Sequence, residues 1–344
     1  MLIGLRGTGK TVLLNRIARD ANDAGFHTLH IEAPEKDDFA RQFAIAAKTA
    51  LLRLSSVENA KSLAFRGLRG VASFISTLKL SHGDISVSVD PLQGHADSGE
   101  LDQDMTELMI MVGEAAQSAG TGWAIFIDEV QYLDRKGLSA LVTALHRANQ
   151  MQLPICFVGA GLPLVPRLAG QAKSYAERIF TYHKIDNLEP KDAAEAIRRP
   201  IEEEGEQIDA DAVSRIITLT AGYPFFLQEW GYQTWNLTDK SPITLADVEN
   251  ATAHALNRLD AGFYRVRTDR MTQRERQICE VMADMGEGPY PISEVASRSN
   301  TLLKSLSTVR DNLIKKGMIY SSSTGYIAFT VPMFDSHLRR VGGR

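Results

Sequence analysis

The chain has 344 residues, of which 44% are apolar and 23% charged, and its 38 Lys+Arg against 42 Asp+Glu leave a formal net charge of −4. This composition excludes collagenous, disordered and disulfide-scaffold classes. The two cysteines, Cys156 and Cys279, stand too far apart in sequence to spell a disulfide framework or a cysteine metal site. No apolar run reaches the roughly 18–20 residues of a membrane span, and the N-terminus lacks the layout of a signal peptide, so a cytoplasmic protein with no membrane partner is expected.

In chain order, Leu2-Ile3 is an apolar stub running into Gly4, and Thr11–Asn22 has helical apolar spacing. His27–Ala33 alternates as a strand does, and Lys36 to about Leu54 reads as helix. Leu78–Asp90 holds two short alternating runs around His82-Gly83-Asp84, a hairpin signal. Leu101–Ser118 and Gly137–Gln150 read as helices. The continuous apolar runs Trp123–Ile127 and Leu153–Val158 suit strands buried on both faces of a parallel sheet. Ile179–Ile185 reads as a further strand. The grammar then changes to helices alone, near 191–204, 209–220, 224–237 and 244–259. Met271–Gly286, Pro291–Ser299 and Ser305–Lys316 follow as three helices, ahead of two alternating runs at Met318–Ser321 and Tyr326–Thr330. Trp123, Trp230 and Trp235 are expected in the core, and His82 and His95 on the surface.

Chemistry enters at residue 4. Gly4-Leu5-Arg6-Gly7-Thr8-Gly9-Lys10-Thr11 fits the phosphate-loop pattern G-x4-G-K-[ST]. Glycines let backbone N–H groups turn around a phosphate, and the helix that follows directs its positive end at the same group. The expected nucleotide-binding set is Gly4, Arg6, Gly7, Thr8, Gly9, Lys10, Thr11 and Val12. Lys10 is assigned to the β/γ-phosphates and the Thr11 hydroxyl to Mg²⁺. The second element is Trp-Ala-Ile-Phe-Ile-Asp-Glu at 123–129, a buried strand ending in two carboxylates. Asp128 is the second candidate Mg²⁺ ligand, and Glu129 the group that orients and deprotonates water. Taken without the loop, the same pair also reads as a strand-end cap or a helix start.

Loop and strand together resemble the additional-strand P-loop ATPases of the AAA+ and STAND kind, archaeal-type and origin-recognition-like, over essentially the whole chain. The resemblance implies ATP/ADP and Mg²⁺ as ligands and ATP hydrolysis as the reaction. Gly222-Tyr223-Pro224, followed by Phe225-Phe226-Leu227, resembles the Gly-x-Pro motif of the helical lid in those ATPases, which approaches the nucleotide; it also reads as a helix stop and restart. Ser174–Phe180 is similar to the segment that enters their fifth strand, where an arginine finger is often placed. Arg178 is the candidate there, with a structural or solvated arginine as the other reading. Two departures lean toward STAND-like proteins and slow hydrolysis. Gly159-Ala160-Gly161 stands where a polar sensor is usual, and no sensor arginine adjoins Gly222.

The expected fold is α/β. Residues 1–185 form a P-loop NTPase parallel-sheet core of the additional-strand type, with an insertion of a hairpin and polar loops at about 58–100. An all-α lid follows at 186–260 and a C-terminal winged helix at 261–344. The last 74 residues carry ten basic and seven acidic side chains. Arg298, Lys304, Arg310, Lys315 and Lys316 are the candidate contacts to double-stranded DNA, with a protein partner, self-association or an internal clamp as alternatives. The expected function is Mg-dependent ATP hydrolysis driving a conformational switch, DNA-associated in one version. The alternative is a nucleotide-gated regulatory protein with little turnover. Only three residues precede Gly4, against about five in a typical strand, so the adenine side of the site is expected to be open or incompletely formed.

Overall fold

A computed structural model describes residues 1–33, 39–77 and 89–342. They divide into two compact units, Met1–Gly4 with Lys10–Lys184, and Leu5–Gly9 with Ile185 onward.

The first unit contains β1 (Leu2–Ile3), α1 (Lys10–Asp23), β2 (His27–Glu32), α2 (Phe39–Leu54), α3 (Lys61–Thr77) and α4 (Leu101–Ser118). After these come β3 (Trp123–Asp128), α5 (Arg135–Gln150), β4 (Ile155–Gly161), α6 (Val165–Ala172) and β5 (His183–Lys184). The strands make one parallel sheet in the order β2-β3-β4-β1-β5. β4 therefore lies between β1 and β3, the additional-strand arrangement of a P-loop NTPase core. All six residues of β3 are buried, which is why its sequence is continuously apolar rather than alternating. β1 is short but central: Leu2 pairs with Ala160 on one side and His183 on the other. The expected strand at Ile179–Ile185 contracts to His183–Lys184, because a 3-10 turn at Ala176–Arg178 and irregular chain precede it.

The region from Glu58 to Glu100 differs from the expected insertion of hairpin and loops. Residues 61–77 are α3, whose Ala64, Leu68, Val71 and Phe74 are buried in the same core as α2 and α4. Its glycines mark close helix approach. A Cβ on Gly67 would lie 2.6 Å from Leu51 Cδ2, and one on Gly70 2.5 Å from Met111 Sδ. The expected hairpin at Leu78–Asp90 falls on 78–88, outside the described residues.

The second unit begins with four helices, α7 (Pro190–Glu203), α8 (Ala210–Thr220), α9 (Pro224–Leu237) and α10 (Leu245–Arg258). A π-helical turn at Leu259–Tyr264 runs into α11 (Arg265–Thr268). Then come α12 (Gln273–Asp284), β6 (Tyr290–Pro291), α13 (Ile292–Arg298), α14 (Leu303–Lys315), β7 (Ile319–Ser323), β8 (Tyr326–Phe329) and α15 (Phe334–Val341). β6, β8 and β7 form a small antiparallel sheet. Capping boxes Thr244/Asp247 and Thr272/Glu275 start α10 and α12, each satisfying two otherwise orphaned N–H groups. One apolar core serves the whole unit. Phe226 meets Trp230 at 6.2 Å and Tyr264 at 6.5 Å between ring centroids, and Tyr264 meets Phe334 at 5.7 Å. Trp123 and Trp230 are buried as expected; Trp235 is 40% exposed, on a face of α9 turned away from this core.

The burial of α3 gives a stability expectation. Phe74→Ala removes a fully buried ring and should cost about 3–5 kcal/mol, read as a lower denaturant midpoint at unchanged slope. An effect within about 0.5 kcal/mol, the usual range for surface positions, would make α3 a decoration after all.

Candidate functional site

The phosphate-loop sequence joins β1 to α1. The Gly4 N–H donates to Gly161 O at 3.1 Å, which ties the loop's first residue to the end of β4. Gly7 and Gly9 take φ of +84° and +85°, a region where a side chain would be strained. The Thr8 hydroxyl donates to Leu5 O at 2.9 Å, folding the loop on itself. Lys10 opens α1 and is buried, while Val12, two residues on, is 69% exposed. The first turn of α1 contains no acidic residue, so nothing local competes with an anion for its positive end.

The strand-end carboxylates meet this helix start. Thr11 Oγ1 donates to Asp128 Oδ2 at 2.6 Å, and Asp128 Oδ1 accepts the Glu129 N–H at 2.8 Å. Asp128 is buried. Hydroxyl and carboxylate oxygens are the hard donors that Mg²⁺ prefers, with waters and phosphate oxygens completing its shell. The residues present therefore fit that ion. Among the described residues no cluster of three His, Cys, Asp or Glu side chains is placed to hold a metal, so Thr11 and Asp128 would work with a bound phosphate rather than as a protein cage.

Glu129 sits at φ +52°, ψ +41°, a left-handed conformation that costs an ordinary residue on the order of 1 kcal/mol. The strain turns its backbone out of β3. Its carboxylate Oε2 accepts a hydrogen bond from Gln131 Nε2, and the Gln131 Oε1 accepts the Leu162 N–H at 3.0 Å. Gln131 thus bridges Glu129 to the end of β4. Gly161 makes room for it, since a Cβ there would lie 2.8 Å from Gln131 Oε1. Sequence reasoning found no polar side chain after β4 and passed over Gln131. The available signal was the amide two residues beyond Glu129 in Asp-Glu-Val-Gln.

In the second unit, the loop residues Leu5–Gly9 associate with the expected lid motif. Gly222, at φ +70°, lies so close to Leu188 that a Cβ would meet the Leu188 carbonyl oxygen at 2.3 Å. Ala221 and Gly222 end α8 in left-handed geometry and Pro224 starts α9, so the motif is indeed a helix stop and restart. It also places Tyr223 and Phe225 on the loop. The Phe225 N–H donates to Gly7 O at 3.2 Å, and a Cβ on Gly7 would meet the Tyr223 hydroxyl at 2.6 Å. That hydroxyl is buried with no hydrogen-bond partner among the described residues, and burial pushes the phenol pKa upward. Phe225 stacks on Phe263 of the π-helical turn at 4.5 Å and 23°, and the Arg267 guanidinium lies 3.9 Å over the Phe263 ring. Burial, and then the like charge of Arg6, lower the Arg267 pKa. Arg6 itself lies against Gly317, at the turn after α14.

Arg178 is exposed on its 3-10 turn and forms no ion pair among the described residues. Of the five candidate nucleic-acid cations, three are held by carboxylates of their own module: Arg298 by Glu294 at 2.6 Å, Arg310 by Asp311 at 2.8 Å and Lys316 by the buried Glu275 at 2.6 Å. Lys304 and Lys315 are exposed with no such partner among the described residues.

If Gln131 sets the Glu129 carboxylate, Gln131→Ala should lower steady-state phosphate release about 10-fold or more, within the range of misplaced acid–base groups, and leave ATP affinity within about twofold. Equal turnover would separate Gln131 from the chemistry.

Residues 1–158 match the AAA ATPase domain family, and residues 261–338 match a domain of unknown function, DUF8462. No curated protein matches the chain. Among solved structures, the Walker-type ATPase PABY2304 of Pyrococcus abyssi is similar over 98% of this chain and 90% of that one, at 15% identity and a TM-score of 0.62. The RuvB Holliday junction branch migration motor of Thermotoga maritima matches over 98% and 86%, at 16% identity and 0.44. The ORC1 protein of Aeropyrum pernix, solved in complex with DNA, matches over 98% and 85%, at 15% identity and 0.41. The likeness to the Pyrococcus protein is one of fold.

Proposed function

We propose that this chain, whose first 158 residues match the AAA ATPase domain family, is a Mg-dependent ATP hydrolase in which nucleotide occupancy sets a conformational switch. The observation that carries this reading is the Thr11–Asp128 hydrogen bond at 2.6 Å, which brings the phosphate-loop hydroxyl and the strand-end carboxylate to one point. Lys10 neutralises the β- and γ-phosphates. Thr11 and Asp128 hold Mg²⁺, which when bound neutralises charge developing on the phosphoryl oxygens. Glu129, oriented by Gln131, takes the proton of the attacking water. Arg178, exposed on its turn, is free to serve as a finger toward a neighbouring copy.

The switch reading rests on the second unit. Tyr223 and Phe225 pack on Gly7, and Arg6 on Gly317, so the loop that binds phosphate is held by lid and C-terminal residues together. The order α12, α13, α14 and hairpin is that of a winged helix. With three of its five candidate cations already paired, and no Lys or Arg between Ser321 and Gly325, that module serves as a clamp or protein-binding element before a DNA reader. Lys304 and Lys315 keep double-stranded DNA as the second reading. Slow turnover, with the nucleotide as a latch, accords with this arrangement.

Lys10→Ala should abolish ATP binding in calorimetry; unchanged affinity would remove the assignment. Glu129→Gln should retain binding and lose turnover by about 10²–10⁴-fold. Turnover measured with and without duplex DNA, at two salt concentrations, separates the two readings of the C-terminal module, because phosphate contacts make affinity fall steeply with salt. Tyr223→Phe removes a buried hydroxyl without a partner. It should leave stability without nucleotide unchanged or raised by up to about 1 kcal/mol and weaken nucleotide binding; a loss of stability with affinity intact would make Tyr223 purely structural.

A further inference from the structure

Two surfaces of the second unit are left open in a complementary way. The first is an apolar groove of about 480 Å³ between α7 and α9, lined by Ile197, Pro200, Ile201, Leu227, Tyr232 and Trp235. Tyr232 and Trp235 are 54% and 40% exposed there. Glu204 sits on its edge, and Glu202 and Glu206, also exposed, flank it in sequence. These carboxylates cluster at the negative end of α7, whose last turn has no basic residue; a cation placed there would relieve an unfavourable alignment. Glu203 is partly answered by Arg199 at 3.0 Å, but Glu202, Glu204 and Glu206 have no ion pair among the described residues. Arg258 lies over Tyr232 at 4.8 Å and meets Glu229 at 3.5 Å.

The second surface is the start of α14. Leu302 and Leu303 are 79% and 59% exposed, the former the most exposed large apolar side chain among the described residues. Leu306, one turn on, is fully buried and anchors the helix, so the leucine pair is not needed to hold it. Lys304 follows in the first turn, where no acidic residue answers it and no side chain caps the helix. Here the misplaced charge is positive, at the helix end that favours a negative partner. The groove lacks an apolar plug, and Glu204 on it lacks an ion-pair partner among the described residues; the α14 start presents an apolar pair and a cation. Among the described residues of this unit, both remain open.

We propose that Leu302 and Leu303 of one copy insert into the α7–α9 groove of a second copy, with Lys304 meeting Glu204. The contact joins two different patches and is therefore heterologous. It propagates into a ring or an open filament rather than stopping at a two-fold dimer. Exposed leucines that fill a pocket on a neighbour also remove apolar surface that would otherwise stay in water.

The full-length chain should show a weight-average mass that rises beyond a dimer in analytical ultracentrifugation up to about 100 µM, a range that captures weak contacts. A Leu302→Glu/Leu303→Glu chain and a Trp235→Glu chain should each stay monomeric over that range, with circular dichroism unchanged because all three positions are exposed. Mixed one to one, they should form a dimer and nothing larger, since the first retains an intact groove and the second an intact leucine pair. Lys304→Glu and Glu204→Lys should each weaken association at least tenfold, and the combined charge swap should restore it. A wild-type chain monomeric throughout, variants that associate like wild type, or a mixture that does not dimerise would each overturn the proposal. In the first case the groove faces another protein; in the others association uses a different surface.

Discussion

A single hydroxyl hydrogen bond, from Thr11 to Asp128, ties the start of α1 to the end of β3, and much of the first unit is arranged so that it forms. β3 must be buried on both faces to end where it does, which requires β2 and β4 on its flanks and the apolar sequence from Trp123 to Ile127. β4 must then end in small residues. Gly161 receives the Gly4 amide and leaves room for Gln131. Glu129 must leave the strand in a left-handed conformation, and the hydrogen bond from Gln131 holds it there. These are local costs concentrated where charge would be handled, the usual pattern for strained backbone at a working site.

The parts of this arrangement carried by backbone demands were legible in the sequence. Glycine spacing reports where the chain needs positive φ or open space, and a continuous apolar run ending in carboxylates reports a strand buried on both faces. The features that escaped depend on partners distant in sequence. α3 was missed because Gly67 and Gly70, with arginines at 66 and 69, interrupt the apolar period; only the packing of Leu51 and Met111 against those glycines explains them. Gln131 was missed because an amide has no signature until the Leu162 N–H and the Glu129 carboxylate stand on either side of it. Trp235 was placed in the core on residue type alone, whereas its face of α9 is turned away from the core. The expected strand after Arg178 shortened because neighbouring residues follow a 3-10 turn instead of the sheet edge.

Charge read from composition also changed meaning once partners were visible. The net positive count of the last 74 residues suggested an anionic ligand. Much of that charge is internal bookkeeping: Arg298, Arg310 and Lys316 each face a carboxylate of the same module. Of the five candidate cations, the two left exposed are lysines, one of them beside a pair of exposed leucines, a combination better suited to a mixed apolar and ionic contact than to a phosphate backbone. The core of the second unit points the same way. It runs unbroken from Ile197 through Tyr264 to Leu338, so helices α7–α10 and the C-terminal module respond to stress as one body.

The π-helical turn from Leu259 to Tyr264 has a consequence of a different kind. A π-turn holds one residue more than the α-helical turn it replaces, so its length and its phase are linked. Removing one residue from this stretch, most readily Gly262, against which an added Cβ would meet nothing, would let the chain revert to α-helical winding. Every residue downstream would then be turned by about 100° around the axis. Phe263 would leave its stack on Phe225, and Tyr264 its place among Phe226, Phe334 and His337. The connector thus acts as a phase setting for the chain. Most single substitutions in it should be absorbed, whereas a change of one residue in length would alter which aromatic side chain reaches Phe225 and, through it, the phosphate loop.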